Sequence, residues 1–152
     1  MINYEINQKI VPLRFQVKDV WVRRLMKAIE KSLCLRKKYV VSIAFVDVRT
    51  MRRLNRNYRG KDKVTDVLSF GNNEKLNDFA MPACCGKEEY LGELILAWPY
   101  VRNQAKDEGK TLEEELAFLI IHGMLHLRGY DHVAKSEARK MFKLQDHILK
   151  TL

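Results

Sequence analysis

His122 and His126 stand four residues apart in a stretch with helical spacing, so both imidazoles leave one face of a helix and can reach a single ion. Gly129 follows, a residue able to take the left-handed conformation that turns a chain back at a helix end. That turn would bring His132 round as a third ligand. Three neutral imidazoles suit zinc, which accepts a tetrahedral arrangement with its fourth position left for water; other divalent metals that take imidazole remain alternatives. An open position implies catalysis. A structural zinc site would be closed by a fourth protein ligand, for which Cys84 or Cys85 could arrive through the fold.

The skeleton His-x-x-x-His-x-x-Gly-x-x-His is shared with the zinc proteases called metzincins, which carry a general-base glutamate directly after the first histidine. Here that position is Gly123. Metal-activated water needs no strong base nearby, but a peptidase must still deliver a proton to the leaving amine, and glycine cannot. Peptide hydrolysis is therefore the weaker reading. Asp131, beside His132, is a candidate for orienting a ligand or handling protons, and equally a plain turn aspartate. His147 lies outside the set and reads as an ordinary histidine of the last helix.

A second feature lies upstream. Between Arg49 and Lys63 seven basic residues, Arg49, Arg52, Arg53, Arg56, Arg59, Lys61 and Lys63, face one acid, Asp62, a net +6. Asn55, Asn57 and Tyr58 interleave them, as in surfaces that hydrogen-bond phosphate and stack bases. Arg59, which we place after the helix and ahead of Gly60, can lean towards a cleft. There a guanidinium would hold a phosphate and stabilise charge developing on it.

The elements that must position these groups read as follows. Ile2, Tyr4 and Ile6 alternate as a short strand, and Val22, Leu25, Met26, Ile29 and Leu33 follow helical spacing over 18–33. Residues 39–48 form a strand covered on both faces, near the sheet centre. Thr50 caps a short helix with Met51 and Leu54 inward, 64–70 is a strand, and 72–89 is a loop. Residues 90–97 form a fourth strand, and Trp98-Pro99 opens a helix ending near Gly109. Thr111 and Glu114 form a capping box, with Glu113, Glu114 and Glu115 at the positive end of a helix that is apolar nearly all round from Leu116 to Leu127. A last helix over 134–149 buries Ala138, Met141, Phe142, Gln145 and Ile148. The expectation is an α+β fold in one domain over 1–152: a four-stranded mixed sheet with about five helices, the histidine helix buried against the sheet.

Composition agrees with a basic, non-membrane protein. The 152 residues carry 28 Lys and Arg against 19 acids, a net charge of +9, and no apolar run is long enough to span a bilayer. Polyanions become plausible partners. The N-terminus lacks the basic start and apolar block of a secretory signal, and three cysteines, an odd count, suit a reducing compartment, so a cytoplasmic location is expected.

The runs 54–62, 65–70 and 91–94, together with His122-Gly123 and Gly129-Tyr130-Asp131-His132, strongly resemble the YbeY family of bacterial and organellar endoribonucleases. Phe70 is followed by Gly71 where that pattern commonly has proline. The resemblance implies a metal-dependent nuclease of single-stranded RNA, acting in maturation of the 3′ end of small-subunit ribosomal RNA and in ribosome quality control, with ribosome components as partners and no DNA. It implies His122, His126 and His132 as zinc ligands and Arg59 as the functional arginine. Arg52, Arg53, Arg56, Lys61 and Lys63 are the expected RNA-binding residues beside it. Two other classes stay open: a metal-dependent peptidase, and a non-catalytic ribosome-assembly factor whose basic face only binds RNA. Water and the RNA 2′-hydroxyl remain alternative nucleophiles.

Overall fold

Tyr39–Val46 forms β2, and every one of its residues is buried. Only a strand covered on both faces and flanked on both edges needs such a run, and β2 has both kinds of cover. The computed structural model describes residues 1–74 and 87–152. Within it, β1 (Ile2–Asn7) and β4 (Glu89–Ala97) lie parallel to β2 on either side, and β3 (Val67–Gly71) pairs antiparallel with β4, giving the order β1-β2-β4-β3.

Helices cover both faces. On one, α1 (Asp19–Ser32), α3 (Trp98–Asp107), α4 (Leu112–Leu127) and α5 (Lys135–Leu149) share a core with Val41, Ile43, Phe45, Leu94 and Leu96. On the other, α2 (Val48–Arg59) sets Met51 and Leu54 against Val46, Leu68, Phe70, Ile95 and Ala97. The mixed α+β sheet with five helices is as the sequence predicts. In α4, Leu116, Leu119, Ile120, Ile121, Met124 and Leu125 are all buried, each worth about 1.5–3 kcal/mol of apolar transfer.

Several local expectations change. The cap of α2 is Asp47, whose carboxylate accepts from the Thr50 N–H at 2.7 Å, so β2 stops at Val46 and the helix begins two residues before Thr50. An ionised cap faces the positive helix end better than a hydroxyl does. Arg59 is the last residue of α2 rather than one beyond it. β3 starts at Val67, and Glu89, assigned above to the 72–89 loop, opens β4. On α5, Met141, Gln145 and Ile148 are buried, but Ala138 is half-buried and Phe142 exposed. Cys84 and Cys85, with most of that loop, lie outside the described residues.

Candidate active site

The capping box that starts α4 is complete: Thr111 Oγ1 accepts from Glu114 N, and the Glu114 carboxylate accepts from Thr111 N at 2.8 Å. Glu115, one of the three glutamates at the positive end of α4, turns inward. It is fully buried, with Lys110 Nζ 3.4 Å from one oxygen, and burial raises its pKa. Four turns on, the helix ends where Gly129 takes φ +86°, with Tyr130 N donating to Leu125 O and Gly129 N to His126 O. This paired reversal folds the next residues back over the last turn. Asp131 Oδ1 accepts from the backbone N–H of His132 at 2.7 Å, which holds the returning segment.

His122, His126 and His132 consequently converge, each offering a ring nitrogen within 4.8 Å of the others. The Nε2 atoms of His122 and His126 are 3.1 Å apart. Tetrahedral zinc with bonds of about 2.0–2.1 Å separates two imidazole nitrogens by about 3.3 Å. The tautomers fit as well. Gln145 Oε1 lies 3.1 Å from His122 Nδ1, and a carbonyl can only accept, so Nδ1 carries the proton and Nε2 presents a lone pair. That lone pair faces His126 Nε2, which can meet it by donating a proton or by sharing an ion with it. Burial lowers the pKa of both His122 and His126; the Gln145 hydrogen bond opposes it at His122, and His122 itself adds to it at His126. Neutral imidazole is the metal-ligand form. The donor set could thus hold a metal ion.

Gly123 has a steric origin. A Cβ there would lie 2.6 Å from Leu94 Cδ2, and Leu94 is a fully buried residue of β4. At this close approach of α4 to the sheet, any side chain at position 123 would have to displace the Leu94 methyl. Gly92 meets a harder limit: at φ +141° its Cβ would be 2.1 Å from the Phe70 carbonyl oxygen. Only glycine lets β3 and β4 pair at that point.

The histidines open onto a cleft of about 540 Å³ lined also by Arg59, Thr65, Asp66, Ser69 and Phe118. Arg59 is held from three sides. Its Nη1 donates to Glu74 Oε2 at 2.6 Å, its Nη2 to Ser69 O at 2.8 Å, and its Cζ sits 4.6 Å from the Phe70 ring centroid. Among the described residues it is the basic side chain that lines the cleft. Arg52 instead forks onto Asp62 at 2.9 and 3.0 Å, and Arg53, Arg56, Lys61 and Lys63 are exposed away from the lining. Asn55, read above as a possible phosphate contact, is buried and donates to Lys63 O at 2.8 Å, tying down the chain after α2. Asp131 is exposed and does not line the cleft. Its carboxylate accepts from the His132 backbone N–H, a positioning contact. His147 is exposed on α5, away from the cluster.

Two participants were not singled out from the sequence. Helical spacing gives Gln145 only as a buried position of the last helix. Asp66, whose Oδ1 accepts from Val67 N at 2.7 Å, places a carboxylate in the cleft; the 65–70 run contains it, but nothing local assigns it a role.

The family model described as Endoribonuclease YbeY matches residues 3–152. The chain belongs to the YbeY family of endoribonucleases. YbeY relatives include one from Shouchella clausii, 36% identical over 153 residues, covering 99% of this chain and 95% of the relative. One from Halalkalibacterium halodurans is 45% identical over 113 residues, covering 73% and 70%. A third, from Staphylococcus aureus, is 38% identical over 136 residues, covering 88% and 87%. The solution structure of a Thermotoga maritima protein is similar in fold, with a TM-score of 0.60 and 24% identity over 99% of this chain and 88% of that one. YbeY membership places the chain among hydrolytic nucleases, and no helix of the described residues is long and apolar enough to cross a membrane.

Proposed function

We propose that this chain, acting as one domain, is a zinc-dependent endoribonuclease that cuts single-stranded RNA. Its place is in the cytoplasm, in maturation of the 3′ end of small-subunit ribosomal RNA and in ribosome quality control. The observation that carries this reading is the convergence of His122, His126 and His132 with Arg59 on one cleft.

His122, His126 and His132 would hold the ion, which when bound supplies Lewis-acid polarisation and a lowered pKa for water. The Arg59 fork binds the phosphate and stabilises the charge that grows on its oxygens as the bond breaks. Asp66 is the carboxylate within reach of that space and accepts the proton of the attacking hydroxyl. Asp131 acts through the His132 backbone by fixing the third ligand. Arg52, Arg53, Arg56, Lys61 and Lys63 serve RNA outside the cleft, as surface charge that draws the backbone in. Gly123 argues against the peptidase alternative, because it supplies no base and a Cβ in its place would press on Leu94 Cδ2 at 2.6 Å.

The test pairs metal analysis of purified protein with cleavage of single-stranded RNA, with and without chelator. About one zinc per chain and chelator-sensitive cleavage are expected, with double-stranded RNA left intact. Metal-loaded protein that leaves single-stranded RNA uncut would overturn the proposal. A His126→Ala protein that folds and still matures ribosomal RNA in cells would favour a non-catalytic assembly factor.

A further inference from the structure

Phe142 breaks the rule of its helix. The buried stripe of α5 runs through Met141, Gln145 and Ile148, whereas Phe142, one position round, is 45% exposed. A large aromatic left in water costs the transfer energy it would gain in the core, so its location matters. The ring lies stacked at 12° to His132, with centroids 6.2 Å apart, and at 22° to His122, 6.5 Å away. It therefore adds a partly exposed ring to the imidazole cluster, against two of the histidines that line the cleft. Val133, next to the third histidine, is 85% exposed, a second apolar side chain left in water near the cluster.

Charge surrounds that apolar spot. Arg139 and Lys135 precede Phe142 by three and seven residues, which places them on the same face of α5, and both are exposed. An exposed ring preceded along a helix by two cations has the composition of a single-strand binding surface, where rings take bases and cations take phosphates. Arg59 reaches the cleft from a different element, the C-terminal end of α2.

From this arrangement we infer that Phe142 is a stacking platform for a nucleobase of single-stranded RNA beside the metal centre, with Arg139 and Lys135 following the phosphates that lead away from it. The inference rests on the nuclease reading for its ligand and adds a base-contacting subsite to it. A planar base stacked on Phe142 shares that ring's near-parallel relation to His132, at 12°, and to His122, at 22°. Stacking accepts any base, so this subsite selects single strands, whose bases are free, over duplexes, whose bases are already stacked.

The test measures binding of zinc-loaded protein to a 12-nucleotide uridine oligomer with 2′-O-methyl riboses and phosphorothioate linkages, by fluorescence anisotropy. A companion series carries one abasic nucleotide walked along the strand. Phe142→Ala is expected to weaken binding about tenfold, and Phe142→Trp to restore it. In the parent, the abasic nucleotide should weaken binding at one position of the walk, and at that position Phe142→Ala should add no further loss. Zinc affinity, read by competition with a chromophoric chelator, should be the same in Phe142→Ala and parent. Undiminished binding by Phe142→Ala overturns the inference, as does a loss of equal size at every abasic position. A parallel fall in zinc affinity also overturns it, since Phe142 would then merely support His132. Cleavage of natural RNA by the parent is scored separately: a protein that cuts nothing but binds through Phe142 sinks the nuclease reading alone.

Discussion

His122 Nδ1 lies 3.1 Å from the side-chain carbonyl of Gln145, a residue 1% exposed on the neighbouring helix α5. The bond joins two helices and also selects the tautomer that turns Nε2 of His122 towards His126. Outer partners of this kind typically contribute 10–100-fold to metal affinity. Gln145→Leu is accordingly expected to weaken zinc binding by about that factor, while Gln145→Glu, which keeps the acceptor, retains it. Chelator competition at neutral pH checks both, and an unchanged affinity in the leucine variant would remove the role.

Arg59 and Glu74 form a pair at 2.6 Å, and the hydrogen bond from Arg59 holds the Glu74 carboxyl below its usual range. A phosphate entering the cleft must compete with that carboxylate for the same fork. Arg59→Ala should lower kcat/KM on single-stranded RNA by about 10²-fold or more, and Arg59→Lys should recover little, lacking the paired donors. Glu74→Gln should instead lower KM. Steady-state cleavage kinetics separate the three.

Gly123 touches Leu94 where a Cβ would stand. Gly123→Ala is expected to destabilise the fold by about 1–3 kcal/mol through overpacking, and Gly123→Glu by more. Neither should gain casein hydrolysis. Urea unfolding gives the first outcome and a protease assay the second.

Glu93 on β4 is 8% exposed, and burial raises its pKa from 4.5 to about 7. Below pH 4.5 the carboxyl is protonated in folded and unfolded chains alike and contributes nothing to pH dependence. Between 4.5 and 7 the folded state keeps a proton that the unfolded state has released, so stability falls as pH rises through this window and stays lower above it. The full span corresponds to about 3 kcal/mol. Glu93→Gln should therefore unfold at a higher temperature than the parent at pH 8 and at nearly the same temperature at pH 4.5. Thermal melts at the two pH values decide it.

What the sequence determined by itself was whatever follows from short-range geometry. Helical spacing of four puts His122 and His126 on one face, Thr111 and Glu114 close a capping box, and Gly129 ends α4, because each depends on atoms within one turn of chain. The continuous apolar run of β2 likewise announces an inner strand. Short-range rules also misplaced the α2 cap, since Asp47 and Thr50 both have capping side chains and the β2 boundary decides which of them stands at the helix start.

Tertiary structure alone decided the rest. Gln145 reaches His122 across 23 residues, and Leu94 fills the space at Gly123 from another layer. Arg59 enters the histidine cleft because β3 lies at the sheet edge between α2 and α4, and Phe142 lies part-exposed against His122 and His132 while Met141 beside it is buried. Periodicity states which faces of a helix are apolar, but it does not say which neighbour covers them, and that neighbour sets each proton, each glycine and each exposed ring of this site.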